Sequence, residues 1–419
     1  MKIEKLKIRF KDKNKRNFII YGIGQSFNLV TPLAITPFIV AKCGADGLGK
    51  VGLGFALALF LILIVDYAFE VKGVKQIAEN STNKINISRI FSLGITTKFI
   101  LFIIALCITF LLINIIPFFK EEKTLYFLSI SIVFAQVFNP IWILQGLQDF
   151  LALSIINILS KIIYVIMVIT FICLKSDYIY VNLCLGISNF IIYFLGLLYL
   201  VKKHQIYYNL PSKKHVFNII KKDFAFCISQ LFLSIRQLSP LVLTSYFLGY
   251  SIGGQYRIIE QFITLFRTFI QVFLRFFYPE TCKKYAVNIL SGINYWKKVV
   301  KMNLLIVVIL LVIILCFSKS ILLYFNIERS TLISLNDLLR IALIIPFLMS
   351  FSLPLEQIIL VSGKNKYYIR TTFFVTLVNL ALIYLLIDIY KVRGVITSLI
   401  IAELLFIALY YSCFKRTNY

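Results

Sequence analysis

The chain has 419 residues, 60% of them hydrophobic and 15% charged, with a mean hydropathy of +0.89. That composition lies outside the range of soluble globular domains and places the chain in a membrane. Its 44 Lys and Arg against 18 Asp and Glu give a net charge of +26, but a nucleic-acid binder needs polar surface to display such charge, and too little polar sequence remains. A basic excess on an apolar chain instead reports topology, because Lys and Arg gather in cytoplasmic loops beside the anionic leaflet.

The N-terminus is basic from Lys2 to Arg16. The run from Phe18 to Ala41 is too long for the core of a signal peptide and lacks a small-residue cleavage site, so it is expected to remain as the first membrane helix. A span needs about 20 apolar residues, and on that criterion the chain divides into twelve: 18–41, 49–70, 94–118, 124–147, 152–174, 178–201, 224–247, 253–279, 302–325, 335–361, 367–388 and 392–414. Counted loop by loop, one side holds 28 Lys and Arg and the other 9. That bias predicts cytoplasmic termini and a cytoplasmic loop at 202–222, the longest basic one.

This all-α integral membrane protein is expected to form two six-helix bundles: an N-terminal lobe over 1–201, a basic linker over 202–222 and a C-terminal lobe over 223–419. Faint internal similarity suggests a parallel pseudo-two-fold repeat. Pro37-Phe38-Ile39-Val40 leads to a turn containing Gly44, Gly47 and Gly49, and Pro240-Leu241-Val242-Leu243 leads to one containing Gly249, Gly253 and Gly254. Transporters built from such repeats bind substrate near the midplane.

Charges inside the spans carry the functional reading. Lys98 and Arg340 lie near span ends and are expected to snorkel to the headgroups. Lys161, Arg236, Arg257, Arg267 and Arg275 lie deeper, and exposing all five to lipid would cost on the order of 12 to 18 kcal/mol. They must face protein or water. Arg257, Glu260, Thr264, Arg267, Gln271 and Arg275 fall on one helical face within an arc of roughly 80° at about 100° per residue. Ser154, Asn157, Lys161 and Tyr164 form a shorter stripe on the fifth span, and Ser229, Gln230, Arg236 and Gln237 add polar positions on the seventh. Two readings follow: a water-filled cationic cavity that binds an anion, or structural pairing with buried acids. Glu403, midway along the last span, is the spare acid and a candidate for ion coupling. Asp66, Glu70 and Glu356 read as rim residues pairing with loop lysines. Prolines at 32, 37, 140, 240, 346 and 354 permit bending.

Other motifs fail. Gly44 to Lys50 matches GxxxxGK, but Val51 stands where Mg²⁺ binding needs Ser or Thr, and no strand precedes it. Eight cysteines are scattered singly, and His204 and His215 have no acidic or thiol neighbours in sequence, so neither metal nor cofactor is expected. No nucleophile elbow or carboxylate pair indicates hydrolytic chemistry.

At Val65-Asp66-Tyr67-Ala68-Phe69, Lys75-Gln76-Ile77-Ala78 and Pro140-Ile141-Trp142-Ile143-Leu144-Gln145-Gly146, the sequence resembles the polysaccharide repeat-unit (Wzx-type O-antigen) flippases of the multidrug/oligosaccharidyl-lipid/polysaccharide exporter superfamily. The family pattern usually has Arg where Lys75 stands and an acid where Gln148 stands. The resemblance implies transfer of an undecaprenyl-pyrophosphate-linked oligosaccharide from the cytoplasmic to the periplasmic leaflet of a bacterial inner membrane, and association with polysaccharide polymerase machinery. Arg forks suit a diphosphate, and Tyr and Trp on the same face would stack on sugars. A multidrug-type ion-coupled exporter would share the fold but favour an acidic or aromatic cavity. An O-antigen polymerase or ligase would carry a long periplasmic loop, which this chain lacks.

Overall fold

The computed structural model describes residues 13–80, 83–327 and 329–415, all of whose regular structure is helical. Both ends of the expected cytoplasmic tails, 1–12 and 416–419, lie outside the described residues, as does the side chain of Ser229. In chain order the helices are α1 (Lys13–Asp66), α2 (Val74–Glu79), α3 (Lys84–Ile115), α4 (Pro117–Lys120), α5 (Lys123–Val137), α6 (Ile141–Gly146), α7 (Phe150–Phe171) and α8 (Val181–His204). After them come α9 (Lys213–Leu248), α10 (Tyr250–Val287), α11 (Ile289–Tyr324), α12 (Arg329–Ala342), α13 (Ile344–Val361) and α14 (Asn365–Lys415). A π-helical turn, Phe69–Gly73, precedes α2.

In lipid, backbone polar groups must be satisfied within the chain, which helices achieve. Among the described residues nine helical stretches are long and apolar enough to cross a bilayer, so this is a multi-pass membrane protein. The first two expected spans are merged in α1, bent at Gly44 (φ 75°, ψ 175°), and the last two in α14, interrupted at Lys391 (φ 50°). The fourth expected span is broken: α5 stops at Val137, and Asn139 and Pro140 start α6, with Asn139 Oδ1 accepting from Ile141 N at 2.9 Å. Side chains cap the starts of α3 and α7, as sequence rules favour. Asn83 Oδ1 accepts from Ile85 N and Asn86 N at 3.1 Å, and Asp149 Oδ1 accepts from Ala152 N at 3.4 Å.

The expected loop at 202–222 is largely helical. Residues 205–212 are irregular, and Lys213–Lys222 open α9, because Val216, Ile219 and Ile220 recur at helical spacing and give the basic segment an apolar face. The irregular stretch is tied to α3: Tyr207 N donates to Ser88 Oγ at 3.2 Å, Asn209 N donates to Ser92 Oγ at 2.9 Å, and the Tyr208 and Thr96 hydroxyls are 2.8 Å apart.

The described chain clusters into two compact units. Unit 1 is Met1–Cys43 with Lys50–Leu231, and unit 2 is Gly44–Gly49 with Phe232–Tyr419. Inside unit 1, Trp142 fills a slot that only glycine can border. A Cβ at Gly94 would lie 2.8 Å from the indole and one at Gly73 3.0 Å from it. The same core holds a buried ion pair. Lys98 Nζ is 2.7 Å from Asp66 Oδ1, Gln136 Nε2 donates to Asp66 Oδ2 at 2.7 Å, and the two charged side chains are 0% and 5% exposed. This corrects two expectations: Lys98 does not snorkel, and Asp66 is not a rim residue, because α1 and α3 turn these positions toward each other. Arg340 is exposed, as snorkelling requires. Both tryptophans are buried, Trp142 in unit 1 and Trp296 in unit 2, where its Nε1 donates to Pro354 O at 3.2 Å. Neither stands free to stack on a sugar.

Unit 2 contains the two glycine turns noted in the sequence. Gly249 caps α10 with φ 92° and ψ 162°, close to the values at Gly44. The turns pack on each other: a Cβ at Gly49 would collide with Tyr250 O, and one at Gly254 with Ala45 O.

Candidate functional site

The stripe on α10 is real but not uniformly open. Arg257 donates from Nη1 to Glu260 Oε2 at 2.6 Å, so the i,i+3 pair neutralises itself. Arg275 is exposed. Between them Arg267 is half-buried, and its Nε is buried with no hydrogen-bond partner among the described residues. A donor in that state is costly in the interior.

Arg267 lies within electrostatic range of Arg236, Glu403 and Glu260. Arg236, from α9, is 3.9 Å from Glu403 Oε1 and stacks over Phe406 at 4.5 Å. At that distance it forms an ion pair without a hydrogen bond. The Glu403 carboxylate is held from the other side by Ser352, whose hydroxyl donates to Oε2 at 2.5 Å.

Glu356 joins this cluster, within electrostatic range of Arg236, Glu403 and Tyr368. It was expected at the rim. Its place on the face of α13 that carries Ser352, one turn earlier, turns it inward, and that i,i+4 polar pair is the signal that could have revealed it. Three arginines, Arg236, Arg257 and Arg267, therefore meet three acids, Glu260, Glu356 and Glu403. Both sequence readings are present: Arg257 is paired structurally, whereas Arg236 and Arg267 present guanidinium donors that the acids do not fully engage.

Lys161 belongs to unit 1. Its stripe neighbours Ser154, Asn157 and Tyr164 are buried, and Ser154 Oγ donates to Ile20 O at 2.7 Å, fastening α7 to α1. Lys161 borders a cleft of about 360 Å³ lined also by Ser26, Phe27, Val30, Thr31 and Ala34 of α1 and by Ile162, Val165 and Ile166. No carboxylate pairs with it among the described residues.

Gln148, where the family pattern has an acid, adopts a left-handed turn (φ 59°), and the neighbouring Asp149 holds Lys203 at 2.6 Å. All eight cysteines are free, and no metal-binding cluster occurs among the described residues.

These helices define a polytopic membrane protein whose fold is shared with known transporters. An inward-facing conformation of a multidrug resistance MATE family transporter of the MOP superfamily superposes with a TM-score of 0.77 at 17% identity, covering 94% of each chain. A MOP superfamily transporter from Pyrococcus furiosus, described as having a binding pocket of reverse polarity that suggests a different function, gives 0.57 at 17% identity over 96% of this chain and 95% of its own. At such identities these likenesses establish the fold. Residues 15–280 match the polysaccharide biosynthesis protein family, and the chain belongs to it. Its relatives include two proteins each described as "Putative O-antigen transporter". The one from Escherichia coli (strain K12) is 22% identical over 93% of this chain and 94% of its own length. The one from Shigella dysenteriae is 22% identical over 94% and 98%.

Proposed function

We propose that the protein is a flippase that carries an undecaprenyl-pyrophosphate-linked oligosaccharide from the cytoplasmic to the periplasmic leaflet of a bacterial inner membrane, for O-antigen or capsular polysaccharide synthesis. It works by alternating access of two six-helix lobes, 1–201 and 223–419, related by a parallel pseudo-two-fold repeat. Twelve crossings follow if α10 spans and if α1 and α14 each pass twice. Their apolar stretches of 47 and 50 residues reach about 70 Å at 1.5 Å per residue, more than double the roughly 30 Å hydrocarbon core. The charged stripe keeps α10 out of the apolar class without preventing it from spanning.

Lys161, Arg236, Arg257, Arg267 and Arg275 are the residues that take the pyrophosphate. The observation that carries this reading is the Arg267 Nε left without an acceptor among the described residues beside an Arg236 whose ion pair stands at 3.9 Å. A diphosphate brings about two negative charges and oxygens suited to bidentate guanidinium forks. It would compete with Glu403 for Arg236, and the freed carboxylate can then take up a proton, making Glu403 the coupling candidate.

The test is replacement of Arg267, Arg236 and Lys161 by Ala, with surface polysaccharide, protein level and membrane insertion all measured. Arg267→Ala abolishes export in a well-inserted protein, and Arg267→Lys restores it only in part because the fork is lost. Normal export from well-expressed Ala variants at all three positions refutes the assignment.

A further inference from the structure

The three sequence segments that carry the family resemblance meet in one place in unit 1, apart from the charged cluster. Phe69 of the first lies against Trp142 of the third, with ring centroids 5.4 Å apart. Gly146 of the third makes room for Ile77 of the second, from which an added Cβ would lie 2.7 Å. Here the chain departs from the α-helix. Tyr67 has φ 53°, a conformation foreign to a bulky side chain, and the π-helical turn Phe69–Gly73 follows it. Strained residues persist where their surroundings hold them, and they gather at switches. Breaks of π type likewise mark functional positions in helices.

What holds Tyr67 is α9. The tyrosine is buried, and its hydroxyl donates to Ile220 O at 2.6 Å. Lys72, in the π turn, pairs with Asp223, and Cys227 Sγ donates to Leu63 O at 3.9 Å. Ile220, Asp223 and Cys227 stand at i, i+3 and i+7, on one face of α9. Ile219 and Ile220 pack on the core beneath. Beside this seam lies a space of about 390 Å³ bordered by Phe69, Lys72, Gly73, Ile219 and Asp223, and the Lys72 side chain is 40% exposed. The helix does not end there. It runs unbroken to Leu248, and the division between the two compact units falls inside it, after Leu231.

We infer that Tyr67 and Lys72 form a clasp that holds the start of α9 against unit 1, and that the clasp opens and recloses in each transport cycle. The inference rests on the alternating-access reading above, in which residues 223–419 move against 1–201. Asp223 and Cys227 belong to the second of those lobes yet pack on the first. Either this seam parts or α9 bends beyond Leu231, and three features favour parting. The left-handed φ of Tyr67 is strain that opening relieves. Its hydroxyl leaves behind a carbonyl that the helix of α9 already satisfies, and an ion pair with one half-exposed partner separates at little cost. The space beside the seam gives the released side chains room.

The experiment is alkylation of the native Cys227 by N-ethylmaleimide in membranes and in cells carrying the full chain, read peptide by peptide by mass spectrometry. Cys227 is 4% exposed, and Cys184 of the same unit, 3% exposed, is the control. In membranes, Tyr67→Phe speeds labelling of Cys227 about fivefold, the worth of one neutral hydrogen bond. Adding Asp223→Asn speeds it further, and Cys184 keeps its wild-type rate. In cells, wild-type Cys227 reacts faster while lipid-linked glycan is being made than in a strain that cannot make it. Equal wild-type rates with and without the glycan overturn the opening and put the motion of α9 beyond Leu231. Unchanged labelling in the double variant overturns the assignment to Tyr67 and Lys72. So does an equal rise at Cys184, which reports general loosening of the unit. Surface polysaccharide separates this inference from the function it rests on. If deleting the protein leaves surface polysaccharide intact, the flippase reading fails, while labelling of the Tyr67→Phe protein still reports whether the seam is held. If polysaccharide needs the protein but Cys227 labelling responds to neither the variants nor the glycan, the clasp fails alone.

Discussion

The Lys98–Asp66 pair offers a sharp test of the packing. With side chains 0% and 5% exposed and 2.7 Å apart, neither charge has water to fall back on. Removing one partner of such a pair costs about 3 to 5 kcal/mol, because the survivor is left buried and uncompensated. Lys98→Met strands the Asp66 carboxylate with the Gln136 amide as its remaining donor. Asp66→Asn strands the ammonium over the Trp142 ring, whose centroid is 5.8 Å away. That cation–π contact returns about 1 kcal/mol, so Asp66→Asn is the milder single change. The double variant removes both charges and keeps an amide to bond Gln136. It should be more stable than either single variant, with a coupling of about 2 to 3 kcal/mol. The assay is thermal unfolding of the detergent-solubilised protein for all four members of the cycle at one detergent concentration. Additive losses, with the double variant the least stable, would refute the claim that these two residues form an isolated buried pair.

The remaining expectations are briefer. Gly254→Val drives a branched side chain into Ala45 O at the glycine turns; it should abolish accumulation of inserted protein, whereas Gly22→Val, where no atom lies within 4 Å of the added Cβ, leaves the level unchanged on immunoblots. Reporter fusions after His204 and Lys415 should show cytoplasmic enzyme activity and no periplasmic phosphatase activity. In vesicles with membrane potential and pH gradient set separately, Glu403→Gln should remove dependence on the pH gradient if the carboxylate couples transport. An unchanged pH response in that variant excludes it, leaving the potential, worth about 2.3 kcal/mol per charge per 100 mV, as the driving term.

Hydropathy and helical periodicity reach as far as one helix at a time. They locate the stripe on α10 and predict the Arg257–Glu260 pair, because both follow from spacing along a single axis. They single out Arg236, Arg267 and Glu403, since a charge deep in an apolar run is visible without a partner. What they miss depends on which helices meet. Lys98 and Asp66 look like end residues until α1 and α3 are seen to bring them together, and Glu356 looks like a rim acid until α13 is placed against α10 and α14. The two tryptophans illustrate the same limit: a large amphipathic ring reads as a sugar platform in sequence, whereas paired close approaches such as Gly73 and Gly94 make Trp142 a core residue. The bend at Gly44 is legible as a turn, because its glycines stand between two apolar runs.

The glycine turn at Gly44–Gly49 carries a consequence for biosynthesis. It is flanked on both sides by unit 1 yet packs as part of unit 2, against residues 250–254. The ribosome makes the turn early and its packing surface about 200 residues later, a gap of roughly 10 to 40 s at typical rates of synthesis. Throughout that interval the tip of the first hairpin is without its native neighbours. The chain must therefore hold an unfinished first half in the membrane until the second half arrives, and the same dependence ties the quality of the early hairpin to completion of the late one.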